Sequence, residues 1–132
     1  MARWLATLAV VSHGVVVWLH GAAHKELGVG LPTTWERVFV NVVILGAPIV
    51  ALVLIWTPLV RCGYLMLALS MFGSLVFGVY HHYMAVSPDH VSHLPAGDAV
   101  GMFKATAALL VVTEAFGTAV GAWGLFNKRA KL

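Results

Sequence analysis

Two neighbouring stretches, residues 38–60 and 62–86, contain no Asp, Glu, Lys or Arg at all. A helix needs about 20 apolar residues to cross the hydrocarbon core of a bilayer. Irregular backbone facing lipid would leave its polar groups unpaired, so runs this long read as membrane-spanning helices despite their abundance of Val and Ile. Two further apolar stretches, residues 4–24 and 99–126, have the same character. The expected architecture is therefore all-α: a polytopic four-helix transmembrane bundle in a single domain covering residues 1–132.

Composition narrows the function classes. Of the 132 residues, 61% are hydrophobic and 10% charged, and the mean hydropathy is +0.91. Soluble domains lie nearer 45–50% apolar and about 25% charged, so a soluble or disordered chain is excluded, and nucleic acid is not an expected partner. One cysteine, Cys62, rules out an internal disulfide. Gly21-Ala22-Ala23 resembles a signal-peptide cleavage site, but the first stretch is expected to remain as a span. Pro48 is expected to kink the second helix and Pro58 to mark its end.

Orientation follows from Lys and Arg, which concentrate on the cytoplasmic side. Four spans place both termini and the middle loop together. That side holds Arg3, Arg61, Lys128, Arg129 and Lys131 with no acidic residue, whereas the opposite side mixes Lys25, Arg37 and Lys104 with Glu26, Glu36, Asp89 and Asp98. Both termini are thus expected in the cytoplasm. Trp4, Trp56, Tyr64 and Trp123 suit an inner aromatic belt, and Trp35, Tyr80 and Tyr83 an outer one.

Seven histidines in so apolar a chain are the main chemical signal. His20 and His24 close the first helix, His81 and His82 the third, and His90 and His93 lie in the loop after it. Six of the seven therefore gather at the outer face, and only His13 is deep. Helical phase puts His13, His20 and His24 on one stripe with Ala6 and Ala9. Ser70, Ser74, Gly78 and His82 recur every four residues, and Glu114, Gly117, Gly121 and Gly124 form a comparable stripe in the fourth helix. Small residues at such spacing let helices approach closely in lipid, so these faces should look inward. His81 points about 100° away from His82.

The loop Ser87-Pro88-Asp89-His90-Val91-Ser92-His93-Leu94-Pro95 carries a helix-start signature. One turn there would put His90 and His93 on one side, over the mouth of the bundle. Imidazole pairs with a nearby carboxylate are the materials of a Zn, Cu or Fe site. The expected ligands are His20, His24 and His82, with Asp89, His90 or His93 closing the site from the loop. Haem b is the alternative cofactor, held between His20 or His24 and His82 beside Gly78, in a small membrane cytochrome. Quinone fits either case as a partner. A non-catalytic subunit of a larger membrane complex, or a homo-oligomer, is the remaining class.

Glu114 lies mid-span, where an unpaired carboxylate costs at least ~2.5 kcal/mol. His13 is the only other ionisable group at similar depth, within about 6 Å by helical rise. The two are expected to approach within reach of a hydrogen bond, directly or through one water, as a proton relay. Asn41 is placed to orient an imidazole or to join helices, and Met84 and Met102 make a soft Cu(I) site conceivable.

The sequence Gly73-Ser74-Leu75-Val76-Phe77-Gly78-Val79-Tyr80-His81-His82, followed by the loop above, resembles small four-helix bacterial integral membrane proteins with no assigned activity. The resemblance implies a bacterial inner membrane and adds no mechanism.

Overall fold

Helical propensity and the demand for internal backbone pairing act together along this chain. The computed structural model describes residues 1–31 and 33–127. It is all-helical among these residues: α1 (Ala2–Leu27), α2 (Thr34–Phe39), a π-turn (Val40–Gly46), α3 (Ala47–Ile55), α4 (Val60–Val79), a second π-turn (Tyr80–Met84) and α5 (Val100–Phe126). These make four spans long and apolar enough to cross a membrane: Ala2–Leu27, Thr34–Ile55, Val60–Met84 and Val100–Phe126. Lys128, Arg129 and Lys131, which contribute to the orientation expected from sequence, lie outside the described residues.

The second span departs most from expectation. It begins at Thr34, because Thr33 and Glu36 form a reciprocal capping box that satisfies two amide donors at the helix start. It ends at Ile55, where the amides of Trp56 and Thr57 turn back to the carbonyls of Val53 and Leu54. Pro58 disfavours helical geometry at Thr57, so the chain leaves the helix before the proline. The span widens into the π-turn and resumes as α3 with Pro48 in its first turn, where a missing N–H is tolerated.

The termini of α1 and α5 and the 56–59 turn share one end of the bundle, called here the terminal end. Arg3 lies over the Trp56 ring, and Trp4 meets Trp56 edge to face. The core of this half is apolar: Ala6, Val10, Ile55, Tyr64, Leu67 and Met71 among others. α5 packs closely on α4 through glycine. A methyl group added at Gly121 would lie 2.5 Å from the Ala68 nitrogen. Tyr64, expected in an aromatic belt, is 1% exposed, because Gly124 opens a notch on α5 that its ring fills.

At the opposite, distal end the packing changes. α1 and α4 both pack on α5, and α3 meets α1, whereas the first π-turn meets α1 only sparsely, through contacts such as the His13–Ile44 hydrogen bond. The resulting gap between the first two spans holds the candidate site.

Candidate metal centre

The buried stripe of α1 runs through Ala6, Ala9, His13, Val16, His20 and Ala23. From its distal end His20 and His24 face His82, which the second π-turn carries at the end of the third span. One nitrogen from each of His20, His24 and His82 lies within 4.8 Å of the other two, and this is the one such His, Cys, Asp or Glu group among the described residues.

Each ring is held from behind through Nδ1. His82 Nδ1–H donates to the Asp89 carbonyl at 3.1 Å, and an Asp89 carboxylate oxygen lies 3.6 Å from the same nitrogen. His24 Nδ1–H donates to the Val29 carbonyl at 3.0 Å. His20 Nδ1 meets Thr106 Oγ1 at 2.8 Å. The Thr106 hydroxyl also lies within reach of the Met102 and Phe103 carbonyls of its own helix; with its one proton directed there, it accepts from His20 Nδ1–H. In that arrangement all three rings are Nδ1–H tautomers and can turn an Nε2 lone pair toward a common cation. His20 Nε2 and His82 Nε2 stand 3.1 Å apart, so with the His20 proton on Nε2 instead the pair is an N–H···N hydrogen bond.

Local sequence explains the supports. Gly28 closes α1 in the left-handed conformation, φ 66°, which a side chain with a Cβ adopts only at a cost. The cap turns the chain so that the Val29 amide reaches the His24 carbonyl and the Val29 carbonyl receives the His24 ring. The loop after the third span folds back on the second π-turn. Val91 N–H donates to the His82 carbonyl, and Ser87 Oγ bonds the His81 carbonyl and Asp89 Oδ1. Phe103, fully buried, packs its ring 4.6, 4.7 and 5.4 Å from those of His20, His24 and His82.

The remaining expected site residues lie elsewhere. Asp89 is buried behind His82. His90 and His93 form consecutive turns with their rings 4.8 Å apart, and do not join the three-histidine cluster. The loop forms no helical turn, because Ser87 bonds Asp89 and His81 in place of capping. His81 turns to the second span, 3.7 Å from Glu36. Asn41 Nδ2 donates to the Arg37 carbonyl on its own exposed helix face. Met84 is 70% exposed. Thr106 and the Val29 carbonyl were not foreseen. A threonine eight residues before Glu114 on the same stripe, and a glycine four residues after His24 at the end of its helix, were the readable signals.

Deeper in the bundle, His13 and Glu114 are both about 2% exposed and lie 4.0 Å apart, Nδ1 to Oε1. This is beyond a direct hydrogen bond and within the reach of one bridging water. His13 Nε2–H donates to the Ile44 carbonyl at 3.1 Å. That carbonyl is the one Pro48, four residues on, has no N–H to satisfy. His13 Nδ1 and Glu114 Oε2 have no hydrogen-bond partner.

A cavity of about 260 Å³ joins the two levels. His20, His24 and His82 line its distal part, and Ser74, Gly78 and Glu114 its inner part. No protein-family model, curated protein or solved structure matches this chain. The functional reading accordingly comes from the geometry of these residues.

Proposed function

We propose that this chain is an integral membrane metalloprotein that binds one transition-metal ion through the Nε2 atoms of His20, His24 and His82. The observation that carries this reading is the convergence of three imidazoles, one nitrogen of each within 4.8 Å of the other two, with every ring anchored through Nδ1. Hydrogen bonding at the far nitrogen is how metal-binding histidines are fixed in tautomer and direction. Three neutral imidazoles suit Zn, Cu or Fe(II), and three protein ligands leave a fourth position for exchangeable ligand. In this chain that position would face the cavity. Anchored ligands, two of them buried, favour a resident ion over a cargo ion in transit. His13 and Glu114 would hold or pass a proton beneath it.

A single ion fits this cluster better than haem b. Axial ligands must sit on opposite faces of a flat macrocycle, whereas two of these nitrogens nearly touch and Phe103 covers all three rings. The basic residues assigned to the terminal end favour a cytoplasmic location for both termini, in a bacterial inner membrane, with the histidines on the opposite side. A reporter fused after Leu132 that is active only outside the cytoplasm would reverse that orientation.

Elemental analysis and an absorption spectrum of the purified protein test the reading. About one equivalent of transition metal per chain is expected, lost in the His20→Ala and His82→Ala variants and retained when His90 and His93 are both replaced by alanine. A haem spectrum would favour the cytochrome. Absence of any metal after metal supplementation would overturn the proposal in favour of a structural role in a larger complex.

A further inference from the structure

The cavity has features that a metal site alone does not require. Its mouth lies in the gap between the first two spans, flanked by the exposed residues Gly21, Gly30 and Arg37. A Cβ added at Gly21 or Gly30 would meet nothing within 4 Å, so this side is open where the bilayer would lie. The walls are mainly apolar, with Val17, Val40, Ile44, Phe77 and Leu110 contributing. The inner end is polar. Glu114, 2% exposed, lines it and has a carboxylate oxygen with no hydrogen-bond partner. A buried polar atom left unsatisfied costs about 1–3 kcal/mol, and a ligand that bonds it recovers that energy.

We infer that the cavity binds the ring of a membrane-soluble quinol or quinone entering from the bilayer between the first and second spans. One ring oxygen meets Glu114 and the other meets the imidazole level, where a quinone oxygen accepts from an Nε2–H and a quinol hydroxyl donates to an Nε2 lone pair. The spacing agrees: Thr106, which holds His20, precedes Glu114 by eight residues of α5, about 12 Å of helical rise. A para-dioxygenated ring with a hydrogen bond of ~2.8 Å at each oxygen spans roughly 11 Å. The ring faces suit the apolar walls, and an isoprenoid tail leaves through the gap at Gly21. An acyl chain fits less well, because it would place a methyl end against Glu114 and leave the carboxyl oxygen unpaired. The inference goes beyond the metal reading and does not depend on an ion being bound.

Photolabelling with an azido-substituted benzoquinone bearing a decyl tail tests it, in nanodiscs, on metal-loaded and metal-stripped protein. Mass spectrometry is expected to place label on the Val17, Gly21, Ile44 and Phe77 segments, and excess decylubiquinone to reduce it at least tenfold. Glu114→Leu removes the polar end. Gly78→Val fills space beside it, since a Cβ there already lies 3.7 Å from Glu114 Oε2. Each is expected to lower displaceable labelling about tenfold, and Glu114→Gln less. Label spread over lipid-facing residues such as Trp18 and Val50, with no displacement, would overturn the inference. So would displaceable cleft labelling unchanged in both folded variants. If a variant does not fold, displacement in the unmodified protein decides. Metal content of the same samples is read separately, so displaceable labelling of metal-free protein supports this inference even where the metal reading fails.

Discussion

The two halves of the bundle use buried polar atoms and helix spacing in opposite ways. At the terminal end, glycines at Gly63, Gly117, Gly121 and Gly124 bring backbones or side chains within a distance that no added methyl could occupy without displacement, around a core of Ile55, Tyr64, Leu67 and Met71. Toward the distal end both π-turns occur, the first and second spans leave a cavity above the His13–Ile44 bond, and the interior holds histidines, Thr106 and Glu114. π-turns are rare and gather at functional sites. Close packing in lipid rests on small residues and van der Waals contact, so the terminal half can carry the fold while the distal half keeps a cavity and its polar groups.

That division is open to attack from either end. The largest effect is expected from replacing His20 and His82 together by alanine. Metal affinity should fall by more than about a hundredfold, beyond the 10–100-fold typical of losing a supporting partner, while helical content and thermal stability of the metal-free protein change little. Next comes Gly121→Leu, which forces a side chain onto the α4 backbone and should lower stability by about 3 kcal/mol, read by denaturation in detergent. The fraction that folds should keep its metal stoichiometry. If it loses the metal too, the halves are not separable.

A smaller effect is expected from Thr106→Val, which leaves the His20 Nδ1–H without an acceptor and frees the ring to turn. About a tenfold loss of metal affinity, measured by chelator competition, with unchanged stability would place Thr106 in support of the site. The smallest is Gly28→Ala. The left-handed conformation costs an alanine about 1 kcal/mol, and loosening Val29 should weaken metal binding only a few-fold. A loss as large as that of the histidine variants would show that the distal cap, and not the ligands, governs the site.

The four spans were legible because hydrocarbon thickness sets a length and backbone pairing forces a helix. The meeting of His20, His24 and His82 was legible from topology and helical phase together. The start of the second span at Thr34 was readable in Thr33-x-x-Glu36, a pattern that hydropathy alone passes over. The π-turns have no compositional mark, since a change of backbone register leaves residue types unaltered. The fate of His90 and His93 depended on bonds between distant positions, Val91 to the His82 carbonyl and Ser87 to His81. Local helix-start signals in that loop were outweighed by these tertiary partners.

The bond between His20 and Thr106 joins residues 86 positions apart, and that between His20 and His82 residues 62 apart. During synthesis, the first span emerges long before either partner exists. His20 meets His82 only once the third span has been made, and Thr106 only once the fourth has docked on the first. Assembly of the three-histidine cluster is consequently a late event, downstream of insertion, and chains lacking α5 should hold His20 less firmly.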